Sequence, residues 1–214
     1  MEQLIDDYIL SHIEPESDYL YRLWRAAHVH LMNPRMTSGH LQGRFLKMLV
    51  QMARPHRVLE IGTYVGYSAL CMAEGLTDDG LIYTTEVNDE LEPFTRPWIE
   101  GSPYGHRVRF LIGDALTLVP TLDETFDFVF IDGDKRQYTD YLRMALAHTA
   151  PGAFILADNT LWDGHVSDPA YDHDDQTVAI RAFNDTVATD PRVETVILPL
   201  RDGLTLMRKT DRAL

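Results

Sequence analysis

Two carboxylates and an ammonium follow directly on one apolar run: Phe126 to Ile131 leads into Asp132, Gly133, Asp134 and Lys135. A second apolar run, Ala153 to Ala157, leads into Asp158 and Asn159. Short aromatic and β-branched runs of this kind suit strands buried on both faces. In open α/β sheets ligands bind outside the carboxyl ends of the strands. Asp132, Asp158 and Asn159 would then gather three oxygen donors on adjacent strand ends. Oxygen-only ligation selects Mg²⁺ first, with Ca²⁺ or Mn²⁺ as alternatives, over Zn²⁺. Three protein ligands leave positions for water and for two vicinal oxygens of a substrate. Lys135, one turn beyond Asp132, is placed to act as general base or to hold a developing oxyanion. The plainer fates are a solvated turn after Ile131 and an Asx turn at Asp158-Asn159. Two acidic strand ends side by side argue against both.

Two further acids stand at strand ends. Glu60 and Gly62 close the run Val58 to Ile61, which turns through Gly66 into an apolar helix. The turn lacks the third glycine of a dinucleotide fingerprint. A carboxylate there would point into the pocket, repel a pyrophosphate and favour a cationic ligand. Glu86 ends the run Leu81 to Val87, where an acid typically accepts hydrogen bonds from ribose hydroxyls. A nucleoside with a cationic tail and no phosphate fits both, and S-adenosylmethionine (SAM) is such a molecule. The plainer alternative is a pair of helix-capping or solvated acids.

The elements that must position these groups follow from periodicity. Residues 1 to about 53 have helical spacing, broken at Pro15 and Asn33-Pro34. Thr37 or Ser38 is expected to cap a third helix with Leu41, Phe45, Met48, Leu49 and Met52 as its apolar stripe. From Arg57 strands and helices alternate, which implies a mostly parallel sheet with helices on both faces. The helix around Asp89 to Ile99 is expected to be interrupted by Pro93 and Pro97. The last two strands, Val193 to Leu198 and Leu204 to Arg208, are joined by a short turn and bring in one antiparallel strand.

At 214 residues one domain is the default, with residues 1–53 as a helical segment over the site or at a dimer surface. The net charge of −14 disfavours non-specific binding to nucleic acid or anionic membrane. The single cysteine, Cys71, excludes an internal disulfide and reads as core. No leader pattern is evident, and no apolar run approaches the ~20 residues of a membrane span. A cytoplasmic protein is expected.

The segments VLEIGTYVGYSAL, GDA at Gly113 to Ala115, FDFVFIDGDKRQY and ADNTLWDGHV together resemble the cation-dependent O-methyltransferases, the group of caffeoyl-CoA and, more distantly, catechol O-methyltransferases. MTSGHLQGRFLKML resembles the segment that covers the cofactor in that family, and the likeness spans about residues 30 to 210. It implies a Rossmann-like class I methyltransferase fold with a seven-stranded sheet, usually a homodimer, using SAM and a divalent cation. By position it implies that Asp132, Asp158 and Asn159 hold the metal and that Lys135 is catalytic. Glu60, Gly62, Tyr64 and Ser68 would hold the methionine end of the cofactor, with Thr37 or Ser38, Asp132 and Asp134 close by. Glu86 would bind ribose, Asp114 and Ala115 would flank adenine, and Trp162 would meet substrate. Two positions depart from the pattern: Gly133 stands where plant members usually have alanine, and Arg201 where many members have glycine.

The expected activity is methylation of one hydroxyl of an ortho-dihydroxy aromatic. The first alternative is a hydroxylated uridine in tRNA, which a surface cluster of Arg54, Arg57, Arg107 and Arg109 would favour. The second is a SAM-binding module without catalysis, which the joint presence of Asp132, Lys135, Asp158 and Asn159 opposes.

Overall fold

The computed structural model describes residues 2–212, with side chains from residue 4. Helices α1 (Glu2–His12), α2 (Asp18–His30) and α3 (Gly39–Ala53) precede the first strand. Then follow β1 (Arg57–Ile61), α4 (Tyr67–Gly75), β2 (Leu81–Glu86), α5 (Glu92–Glu100), β3 (Val108–Ile112), α6 (Ala115–Leu118) and β4 (Phe126–Ile131). The chain ends through α7 (Tyr138–Ala147), β5 (Thr149–Asp158), α8 (Asp175–Thr189), β6 (Val193–Leu198) and β7 (Leu204–Lys209). The seven strands are ordered β3-β2-β1-β4-β5-β7-β6. Only β7 runs against the direction of the other six strands, and it lies between β5 and β6 rather than at the edge.

The strand order reverses between β1 and β4, and at such a switch point the loops diverge and leave a crevice. The side chains of β4 alternate between two cores. Phe128 and Phe130 join α2, α3, α4 and α5 on one face, whereas Val129 and Ile131 join α6, α7 and α8 on the other. Burial on both faces is why β4 reads as an unbroken apolar run.

Three local expectations need correction. Pro93 and Pro97 do not interrupt α5: Pro93 falls in its first turn, where the N–H is unpaired anyway, and the helix continues past Pro97 to Glu100. Ser38 occupies the N-cap position of α3 but makes no side-chain cap. The inward face of α3 is Gln42, Gly43, Arg44, Leu46, Lys47 and Val50, while Met48 and Met52 are 53% and 79% exposed. Charged residues can face inward there because each is paired. Arg44 meets Glu74 at 2.8 Å, and Lys47 meets Glu14 at 2.8 Å and Glu74 at 3.0 Å.

Candidate active site

The carboxyl ends of β1, β2, β4 and β5 open into a cavity of about 760 Å³, within the size range of small-molecule sites. Its floor is the β1–α4 turn. Gly62 has φ 98°, and a Cβ there would collide with the Asp132 carbonyl, so only glycine lets β1 and β4 turn away this closely. Glu86, 8% exposed, accepts the backbone N–H of Tyr64 at 2.8 Å and of Asn88 at 2.9 Å. Each carboxylate oxygen thus has one fixed donor and keeps a lone pair for a ligand hydroxyl. Asp114 caps α6 through the Leu116 N–H at 3.0 Å, which leaves Ala115 and the helix start on the cavity wall.

The candidate metal ligands arrive as the strands dictate. Asp132 follows β4, Asp158 ends β5, and Asn159 turns away in the left-handed region at φ 57°. All three line the cavity. Asp158 is buried; its Oδ1 accepts the Asn159 N–H at 2.9 Å and its Oδ2 the Gln42 amide at 2.6 Å. Burial, and then the negative charge of Asp132, push the Asp158 carboxyl above the usual aspartate range. Two acids crowded at low dielectric are the setting that a divalent cation relieves. Among the described residues no three or more His, Cys, Asp or Glu are gathered for a metal. The group at hand is two carboxylates and one amide, a hard-donor set with positions to spare.

Lys135 is buried and donates to Asp132 Oδ1 at 2.9 Å and to the Tyr138 hydroxyl at 2.6 Å. That hydroxyl donates onward to the Asp158 carbonyl at 2.9 Å. Tyr138 lies wholly in the core, so the Lys135 ammonium is aimed by a rigid partner.

Of the residues singled out in the sequence, Gly62, Tyr64, Glu86, Asp114, Ala115, Asp132, Asp134, Lys135, Asp158, Asn159 and Trp162 share this cavity. Glu60 does not point into it. Its side chain is 0% exposed, and it takes the Ser68 and Thr84 hydroxyls at 2.5 Å each. Burial pushes its carboxyl up to about 8. One residue before Ile61, the strand's alternation turns this side chain away from the opening. Ser68 is occupied by the same contact. Thr37 and Ser38 are buried beside Arg35 and Met36, which do reach the cavity; the Thr37 hydroxyl has no partner. Asp134 is held by the Arg136 guanidinium at 2.6 Å, which keeps its carboxyl below the usual range.

Gly133 has a local reason. A Cβ there would approach Tyr141 Cε2 to 2.9 Å, so Tyr141 takes space on the cavity wall that alanine would claim. Gln42 and Tyr138 are the residues that sequence reasoning missed; Arg201, noted there only as a departure from the family pattern, also lines the cavity. Gln42 was hidden because its face of α3 reads as polar and therefore exposed.

The O-methyltransferase family profile matches residues 10–210. Caffeoyl-CoA O-methyltransferase of Petroselinum crispum is 37% identical over 185 residues, covering 81% of this chain and 77% of the relative. Caffeoyl-CoA O-methyltransferase 2 of Eucalyptus globulus is 38% identical over 189 residues, covering 81% and 75%. Among solved structures, O-methyltransferase TomG of Streptomyces achromogenes, in complex with SAM, superposes with a TM-score of 0.88 at 30% identity, covering 96% of each chain. The O-methyltransferase of Bacillus cereus in complex with SAH gives 0.88 at 30% identity and 97% of each chain. The profile match, the relatives and the shared sheet agree: this chain belongs to the O-methyltransferase family.

Proposed function

We propose that the protein methylates one hydroxyl of an ortho-dihydroxy aromatic small molecule of catechol or caffeoyl type, with SAM as donor and a divalent cation as cofactor. One observation carries this reading: Asp132, Asp158, Asn159 and Lys135 open onto the same cavity as Gly62, Glu86 and Asp114. A cation and an adenosyl group held by these two sets would be neighbours. When bound, the cation supplies Lewis acidity that draws two vicinal oxygens together and lowers the pKa of one.

The protein's own residues do the rest by placement. Glu86 and the start of α6 fix the nucleoside end. Gly62 lets the chain approach the ligand closely. Asp132, Asp158 and Asn159 offer acceptor oxygens from a rigid sheet edge. Lys135 is held by Asp132 and the Tyr138 hydroxyl at the cavity wall, poised to hold a developing phenolate oxygen. Positioning of the nucleophile in line with the methyl group would supply much of the rate.

A tRNA acceptor is less well supported. Arg57 begins β1, and Arg107 and Arg109 flank the start of β3, at the opposite edge of the sheet from the cavity. Arg57 is paired with Glu124 and Arg107 with Asp78. A homodimer is supported by the exposed Leu4, Ile5 and Tyr8 of α1 and Met48 and Met52 of α3. No helix among the described residues is long and apolar enough to cross a membrane.

The test is a methylation screen with labelled SAM over catechols, caffeoyl esters, flavonoids and tRNA, each with Mg²⁺ and with EDTA. Turnover of catechols or caffeoyl esters that stops with EDTA is the expected result. Full-rate turnover in EDTA would remove the cation from the mechanism. Turnover of tRNA alone would replace the acceptor.

A further inference from the structure

A glutamine amide can face either way, but an arginine offers only donors. Arg201, in the turn between β6 and β7, donates through Nη1 to Gln42 Oε1 at 2.5 Å and to the Ser38 carbonyl. Gln42 is thereby held with its oxygen toward Arg201. Its Nε2 is left to donate to Asp158 Oδ2 at 2.6 Å. The next residue, Asp202, accepts from the Asp163 N–H. The backbone of the same turn is tied to the loop after β5: Thr160 N–H meets the Gly203 carbonyl at 3.1 Å and Leu161 N–H the Asp202 carbonyl at 3.0 Å. One turn thus braces Asp158 through Gln42 and the backbone that follows Asn159.

The backbone makes this turn unusual. Arg201 has φ 50°, in the left-handed region where glycine is at ease and a long side chain is not. Strain at such a position persists when the surrounding contacts require it. Here the residue that bears the strain also makes the contact to Gln42, which glycine could not make.

We propose that Arg201 is a positioning residue for the cation site: through Gln42 it fixes Asp158 as an acceptor aimed at the cavity. The inference rests on the cation site proposed above. Partners behind metal ligands typically contribute about 10–100-fold to metal affinity.

The experiment titrates Mn²⁺ into the protein alone, with neither SAM nor acceptor, and follows free Mn²⁺ by electron paramagnetic resonance. It compares wild type, Arg201→Gly, Arg201→Lys, Gln42→Leu, the Arg201→Gly/Gln42→Leu double variant and Asp158→Ala. Arg201→Gly and Gln42→Leu should each weaken Mn²⁺ binding roughly 10-fold or more. The double variant should be no weaker than the worse single one, because both break one chain of contacts. Arg201→Lys should recover part of the loss. Glycine suits the backbone at position 201, so a melting temperature for Arg201→Gly near that of wild type keeps the comparison free of unfolding. Wild-type Mn²⁺ affinity in Arg201→Gly, or losses that simply add, would overturn the relay while leaving the cation site standing. No Mn²⁺ binding by wild type, or unchanged binding by Asp158→Ala, would overturn the cation site and the relay with it.

Discussion

The end of β4 lines the cavity and the helix α3 stands behind it, touching Asp158 through Gln42, yet they relate to their sequences in opposite ways. In β4 every apolar residue is buried and the first charged residues after it line the site. In α3 the methionines Met48 and Met52 face outward, while Gln42, Arg44 and Lys47 face in. A strand in the middle of a parallel sheet has neighbours on both faces, so its pattern has one solution. A helix on the outside of the sheet has two faces to offer. Which one turns inward depends on partners elsewhere in the chain, here Glu14, Glu74, Asp158 and Arg201.

The strongest test of the β4 side is Asp132→Ala. It should lower turnover more than about 100-fold and abolish its response to Mg²⁺, a larger loss than that from a residue behind the ligands. SAM binding by calorimetry should stay within a few-fold of wild type. Loss of SAM binding with cation response intact would show that the wrong carboxylate has been given to the metal.

The α3 side is tested by a pair of substitutions. Leu46→Ala, on the inward face, should destabilise the protein by about 2–5 kcal/mol in urea denaturation. Met52→Ala, on the outward face at dilute concentration, should change it by no more than about 0.5 kcal/mol. Equal effects would mean that Met52 is covered, and sedimentation would then show whether a second copy covers it.

Glu60 links the two regions, because it stands at the edge of the site without entering it. Its pKa is raised in the folded state, to about 8, from the ordinary glutamate range. Between those two values the folded protein holds a proton that the unfolded chain has released, so stability falls as pH rises through this window and levels off above it. Glu60→Gln should flatten that slope. Melting temperatures from pH 5 to 9 would read this directly, at about 2–4 °C for each kcal/mol in a chain of this size. An unchanged slope would mean that Glu60 is already ionised in the fold.

Most of the candidate site's lining was legible because strand ends are legible. Asp132, Asp158, Asn159 and Glu86 end apolar runs, and the sheet topology carries such ends to one edge. Gly62 was legible as a turn, and only the tertiary structure shows its close approach to Asp132. Glu60 was misplaced because a position at the end of β1 does not say which side of the strand the carboxylate leaves from. That was settled by the hydroxyls of Ser68 on α4 and Thr84 on the neighbouring strand β2.

By itself the sequence determined the alternating strand and helix pattern, the acids that end the strands and the hard oxygen donors they offer. These depend on residues close together in the chain, where spacing and backbone geometry act directly. The tertiary structure alone decided the inward face of α3, the burial of Glu60, the hold of Tyr138 on Lys135 and the path from Arg201 through Gln42 to Asp158. Arg201 and Gln42 are 159 residues apart. A contact at that range is chosen by packing and by the need to satisfy buried polar groups, and no local spacing announces it.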